Sequence, residues 1–168
     1  MPGDPLDPES VAGAIVSEAQ MGRVLGYIEK AKSERNELAL GGKRVRAESG
    51  GFYVEPTVFD RVKNSDTLAR EEVFGPVLGV IGFDSEEEAV RIANDTVYGL
   101  AAGLWTRDIS RAHRVSRQLR AGLVWINGWD ACDITMPFGG VKQSGFGRDR
   151  SLHAIEKYCD LKSISVTY

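Results

Sequence analysis

VLGVIGF (77–83), DSEEEAVRIAND (84–95), LAAGLWT (100–106), DISRAHRVSRQL (108–119) and GLVWIN (122–127) run nearly end to end. The first, third and fifth are short apolar runs with strand composition. The second starts at an Asp84-Ser85 cap and carries acids in its first turn, where the helix dipole favours them. In the fourth, Ile109, Ala112, Val115 and Leu119 fall on one side of an amphipathic helix. Strand, helix, strand, helix, strand predicts parallel strands joined by right-handed crossovers. The strands alternate little between polar and apolar, as expected when helices cover both faces. The expectation is an α/β fold: a mostly parallel sheet with flanking helices.

Upstream, MPGDPLDPES reads as an extended lead-in. Ser17 caps a helix running to about Glu34, with Met21, Val24, Leu25 and Ile28 as its apolar stripe. LALGGKRVRAESGG (38–51) reads as a polar loop turned at its glycine pairs. FYVEPTVF (52–59) has strand composition, but Pro56 removes a donor and suits an edge or a break. Downstream, residues 128–147 hold five glycines and no clear period, and a loop of that length is usually functional. RDRSLHAIEKY (148–158) looks helical. LKSISVTY (161–168) alternates like a strand with one wet face, and leaves an edge that another chain can pair with. One domain is expected, with no repeat.

Composition excludes several classes. The chain has 168 residues, 42% hydrophobic, with a formal net charge of −3. That suits a globular domain and not a disordered one. No long basic run favours a phosphate backbone, so no nucleic-acid partner is expected. No apolar run approaches the roughly 20 residues that span a bilayer, and the N-terminus lacks the features of a signal peptide. Cys132 and Cys159 form neither a disulfide framework nor a metal spacing. A reduced, cytoplasmic setting is the default expectation.

REEVFGPV (70–77) carries the chemistry worth arguing. Glu71 and Glu72 are read in two ways. One is a solvated pair at a helix end. The other is a carboxylate that accepts hydrogen bonds from a ligand's vicinal hydroxyls, beside Phe74 as a flat apolar face, held by the Gly75-Pro76 bend. The loop glycines match neither the P-loop nor the dinucleotide fingerprint, so they are expected to let the backbone turn or pass close to other chain. Cys132, flanked by Asp130 and Asp133 with no base nearby, reads as pocket lining or packing and not as a nucleophile. Cys159 reads as a structural thiol. His113 and His153 each lack a nucleophile or metal partner in the pattern. Asp130 and Asp133 either form turns or favour an amine-bearing ligand.

GGFYVEPTVF, REEVFGPV, ANDTVYGLAAGLWT, AGLVWIN and PFGGVKQSGFGR, in that order and over essentially the whole chain, resemble the C-terminal portion of the NAD(P)-dependent aldehyde dehydrogenases. The resemblance implies residues 1–158 as part of the catalytic domain and residues 159–168 as an oligomerisation strand, the Rossmann domain lying outside this chain. It implies NAD or NADP as cofactor and an aldehyde as substrate. Glu72 would hold the nicotinamide ribose and Phe74 would pack near the nicotinamide. Gln20 and Arg23 fall where family members often reach the same ribose, although Arg23 replaces a frequent lysine and Met21 a frequent aromatic. Phe138 matches a wall of the aldehyde tunnel. Trp129, Ala131 and Cys132 match the variable loop that helps select substrate. Arg148 and Asp160 match a pair tying the post-loop helix to a subunit interface, so a homo-oligomer is expected. The nucleophilic cysteine, general-base glutamate and oxyanion-hole asparagine are expected upstream, which leaves no catalytic residue here and predicts a chain inert alone. KQSGFGRDRSLHAIEK resembles the enzymes of aminoaldehyde oxidation in polyamine breakdown, those acting on 4-guanidinobutyraldehyde and gamma-glutamyl-gamma-aminobutyraldehyde. The alternative is an inert, self-associating fragment or interaction module.

Overall fold

Ser17 starts the first helix: its hydroxyl accepts the Gln20 N–H at 3.2 Å, satisfying one of the donors a helix start leaves open. In this computed structural model, which describes residues 2–168, helix α1 spans Glu18–Ser33 and buries Met21, Val24, Ile28 and Ala31. Leu25 only borders that stripe. Against it pack Val54, Phe59, Val62 and Val73. The chain divides into two compact units, Met1–Phe83 and Asp84–Tyr168, where the sequence reads as one.

In the first unit, strands β1 (Glu37–Leu40), β2 (Arg44–Val45), β3 (Tyr53–Val54) and β4 (Thr57–Asp60) precede the short helix α2 (Thr67–Arg70) and strand β5 (Val77–Gly79). Pro56 breaks the FYVEPTVF run between β3 and β4, as its missing donor requires. The segment expected to be a polar loop instead contains β1 and β2. Its glycine pairs marked turns, but the apolar Leu38-Ala39-Leu40 run before them forms an edge strand exposed along its whole length. β4 is central in the order β1-β4-β5, antiparallel to β1 and parallel to β5. β2 and β3 form a separate antiparallel pair.

The second unit contains α3 (Glu86–Asn94), β6 (Ala101–Leu104), α4 (Ile109–Gln118) and β7 (Leu123–Ile126). Ser85 caps α3 through the Glu88 N–H, and the Asp108 carboxylate caps α4 through the N–H groups of Ser110 and Arg111. β6 and β7 pair in parallel from Ala101 opposite Leu123 to Leu104 opposite Ile126. The expected three-stranded parallel sheet is therefore corrected. The β5 run joins β4, not β6, and the whole is a mixed α/β arrangement of three small sheets. Periodicity locates a strand but does not choose its neighbour.

Two further expectations change. The post-loop helix is a 3-10 helix over Leu152–Tyr158. No strand forms over residues 159–168, where every residue is exposed. A lone extended segment has no ladder to join, so strand composition there cannot become a strand without a partner. Among the described residues, no helix is long and apolar enough to cross a membrane.

Candidate functional site

The REEVFGPV corner is built by four successive constraints. Glu71 caps the end of α2, its N–H donating to the Thr67 carbonyl at 2.9 Å. Val73 turns inward and is 7% exposed. Phe74 then sits in the left-handed region at φ +55, a conformation that costs a bulky L-residue energy and persists only where the surroundings impose it. Finally the Pro76 carbonyl accepts the Thr57 N–H at 2.8 Å, welding the corner to the central strand β4.

Helix α1 supplies the surroundings. Gln20 Nε2 donates to the carbonyls of Val73 (3.2 Å) and Phe74 (3.0 Å). Arg23 Nη2 donates to the Glu72 carbonyl at 3.2 Å. The Tyr27 hydroxyl donates to the Glu71 carboxylate at 2.8 Å. Gly75 lies flat against the helix, and a Cβ there would run into the Val24 side chain. Glycine is required here for close approach, not for a special φ.

This arrangement separates the two adjacent acids. Glu71 is tied back to helix α1 by Tyr27, although it stays exposed. The Glu72 carboxylate is exposed and has no hydrogen-bond partner among the described residues, and the Phe74 ring beside it is 71% exposed. An unpaired acceptor and an open aromatic face thus project from a backbone that is fixed on its inner side. Gln20 and Arg23, expected at a ligand, use their side chains on the corner's own carbonyls. Tyr27 was not singled out from the sequence. Its signal was the i, i+3, i+7 spacing Gln20, Arg23, Tyr27 on one helix face.

In the second unit the glycine-rich loop is a docking device. Gly122 and Gly139 touch so closely that a Cβ on Gly122 would run into the Gly139 carbonyl. Lys142 Nζ donates to the carbonyls of Asn94 (2.9 Å) and Thr96 (3.1 Å), and the Ser144 hydroxyl accepts the Gly99 N–H at 3.0 Å. The glycines let backbone pass close to backbone, as the sequence implied. Phe138 and Asp149 exchange both backbone hydrogen bonds, at 2.8 and 2.6 Å, and the Arg150 guanidinium lies 5.2 Å from the centre of the Phe138 ring.

The variable loop is turned by Asp130 at φ +56. Its carbonyl accepts the Cys132 N–H at 3.0 Å. Trp129 is mostly exposed and leans on the buried Trp125, ring centres 4.7 Å apart. Ala131 is exposed and Cys132 half-buried. The two loop acids differ. Asp133 Oδ1 accepts both the N–H and the hydroxyl of Thr135, at 2.8 and 2.6 Å, which holds its carboxyl below the usual aspartate range. It is a turn-forming residue. Arg148 Nη1 donates to the carbonyls of Gly140 (2.8 Å) and Gly147 (2.7 Å), Asp160 is exposed, and no ion pair joins the two among the described residues. Among the described residues no group of three or more His, Cys, Asp or Glu side chains could hold a metal.

A mixed α/β protein with a clamped acid-and-ring corner is the class these features define. Its sequence matches the model of the aldehyde dehydrogenase family over residues 1–164, and the chain belongs to that family. A betaine aldehyde dehydrogenase of Cereibacter sphaeroides is 53% identical over 164 residues, covering 98% of this chain and 34% of that protein. The crystal structure of a gamma-glutamyl-gamma-aminobutyraldehyde dehydrogenase from Burkholderia cenocepacia J2315 superposes with a TM-score of 0.93 at 62% identity, covering 96% of this chain and 33% of that one. An indole-3-acetaldehyde dehydrogenase solved with NAD+ superposes with a TM-score of 0.94 at 55% identity, covering 98% and 33%. The chain therefore spans about a third of the length of the relatives it matches.

Proposed function

We propose that this chain supplies the nucleotide corner and part of the substrate lining of an NAD-dependent aldehyde dehydrogenase that oxidises an aminoaldehyde to its carboxylate. The observation that carries the reading is the corner: Glu72 exposed and unpaired, Phe74 open, both on a backbone clamped from behind. An ionised carboxylate only accepts, and can serve two vicinal hydroxyls at once; that fits a ribose. The Phe74 face fits the flat nicotinamide. When bound, NAD supplies the hydride acceptor. Gln20 and Arg23 serve the same ribose by setting the corner's carbonyls. An NAD+ complex among the similar structures supports NAD over NADP.

Residues 1–158 are proposed as part of the catalytic domain. The nucleophile, the general base and the Rossmann domain are proposed to come from polypeptide outside these 168 residues. Phe138, Trp129, Ala131 and Cys132 are proposed to line the aldehyde side, and Asp130 to favour a cationic substrate. The names of the similar proteins, betaine aldehyde and gamma-glutamyl-gamma-aminobutyraldehyde dehydrogenase, support an amine-bearing aldehyde. Residues 159–168 are proposed to pair with a second copy: Ile164, Val166 and Tyr168 alternate along one side and are 78%, 67% and 113% exposed. Arg148 and Asp160 are proposed to lie near that interface.

The test is made in the full-length enzyme carrying this segment. Glu72→Gln is expected to raise the KM for NAD about tenfold, since hydrogen bonds to a charged group are worth about 1.5–3 kcal/mol. An unchanged KM for NAD sinks the nucleotide reading. Asp130→Asn is expected to narrow the preference for aminoaldehydes over uncharged aldehydes of equal length; an unaltered ratio removes Asp130 from that role. The isolated chain is expected to give no NADH from NAD and aldehyde above its Glu72→Gln variant.

A further inference from the structure

Three side chains on one face of α1 reach three successive parts of the corner in reverse order. Gln20 takes the carbonyls of Val73 and Phe74, Arg23 takes that of Glu72, and Tyr27 takes the carboxylate of Glu71. Helical spacing of three and four residues puts them in one row, so the helix lies along the corner like a rail. The Arg23 guanidinium also lies 5.7 Å from the centre of the Tyr27 ring, a cation–π distance, which ties the second rung to the third. On the other side Phe74 is in the left-handed region and makes its turn while mostly exposed, so its own side chain does not hold it there. The row of hydrogen bonds from α1, together with the Thr57–Pro76 bond to β4, holds it there.

We propose that Tyr27 is a positioning residue of the nucleotide corner, acting through Glu71. Its hydroxyl engages one carboxylate oxygen of the exposed Glu71 and ties that acid to α1, leaving Glu72 as the acid of the pair with no hydrogen-bond partner among the described residues. Without that bond Glu71 is released, neither acid of the pair is tied to the helix through its carboxylate, and the start of the strained turn loses a restraint. This inference rests on the nucleotide reading of Glu72 for its functional consequence, but the clamp itself is a statement about this chain alone.

The experiment has two readouts in the full-length enzyme: NAD affinity by calorimetric titration, and amide hydrogen exchange over residues 72–75. Tyr27→Phe is expected to raise the Kd for NAD about three- to tenfold, a hydrogen bond's worth, to raise KM for NAD more than it lowers kcat, and to speed exchange at Phe74 and Gly75. Glu71→Gln keeps an acceptor for the tyrosine hydroxyl and is expected to retain slow exchange. Glu71→Ala is expected to match Tyr27→Phe, and the double variant to be no worse than either, because both remove one bond. Wild-type exchange and affinity in Tyr27→Phe, or effects that add in the double variant, overturn the proposal. Glu72→Gln separates the two ideas. If it leaves NAD affinity unchanged, the nucleotide reading fails, and the exchange of residues 72–75 in Tyr27→Phe still decides the clamp. Circular dichroism melting of each variant distinguishes a loosened corner from an unfolded unit, and Glu71→Gln provides the folded control.

Discussion

Phe59 and Trp125 mark the contrast between the two units. Phe59 is fully buried in a cluster with Val24, Ile28, Val54 and Val73. Trp125 is buried too, but its indole N–H has no partner, and its ring neighbour Trp129 is mostly exposed. Among the described residues the first unit buries nine hydrophobic side chains and the second only Val90, Ala112, Leu123 and Trp125. The second unit makes up the difference with hydrogen bonds: Lys142 on two carbonyls, Arg148 on two more, and Asn94 bridging the Gln118 carbonyl and the Arg120 N–H at 2.8 and 2.7 Å. The corner needs a rigid foundation because it holds a strained residue, and it stands on the unit with the deep core. The variable loop needs only a frame, and hangs from the unit that is stapled.

The largest test of that contrast is core truncation. Phe59→Ala is expected to cost about 3–5 kcal/mol, seen as a lower urea midpoint by far-UV circular dichroism. Leu123→Ala in the second unit is expected to cost about 2 kcal/mol, the low end for such a change, because fewer buried neighbours lose contacts. Equal costs would erase the distinction. All three tryptophans, Trp105, Trp125 and Trp129, lie in the second unit, so their fluorescence reports Leu123→Ala directly.

Next in size are the close approaches. Gly75→Ala pushes a methyl into Val24, and Gly122→Ala pushes one into the Gly139 carbonyl. Overpacking of this kind costs about 1–3 kcal/mol. The value for Gly122 is expected to be the larger, because a backbone carbonyl cannot rotate away as a valine can. Thermal melts of the two variants check the order.

Phe74→Ala is expected to change stability by less than about 0.5 kcal/mol, as for other exposed positions away from a packing role. It is expected nonetheless to weaken NAD binding in the full-length enzyme. A large loss of stability would mean that the ring supports the fold and not a ligand.

The smallest effect is the response to acid. Glu86 is held below its ordinary range by the Arg114 and Arg111 guanidinium groups, Asp108 by the Arg111 and Ser110 N–H groups, and Asp133 by Thr135. All three belong to the second unit. In the first unit Glu34 is lowered by Thr67, whose hydroxyl and N–H it accepts at 2.6 and 3.1 Å. A carboxylate whose pKa is depressed on folding contributes stability above its unfolded value and loses it as pH falls through the folded one. Tryptophan fluorescence is therefore expected to shift modestly as pH falls below about 4, the ordinary carboxylate range. The part due to Glu86 should shrink in high salt, since its arginine partners are exposed to solvent. A salt-independent response would assign it to the Asp108 and Asp133 hydrogen bonds and not to the Glu86 ion pairs.

The amino-acid order by itself was enough for helices α1, α3 and α4 and for the bend at Gly75-Pro76. Ser17, Ser85 and Asp108 cap where their hydrogen-bonding chemistry puts them, and the apolar spacing of α1 marks its buried face. The Gly75-Pro76 bend was legible because a glycine-proline pair marks a turn. These are local constraints, settled within a few residues of chain. Tertiary structure alone decided the rest. It gave β5 to β4 instead of β6, made strands of residues 37–40 and 44–45, and assigned Glu71 to Tyr27, 44 residues away in sequence, leaving Glu72 outward. It also left residues 159–168 without a strand partner. For β1, β5 and Glu71 the deciding hydrogen bonds join segments distant along the chain. Strand composition and charge say which groups need a partner, and only the packed chain says which partner they meet.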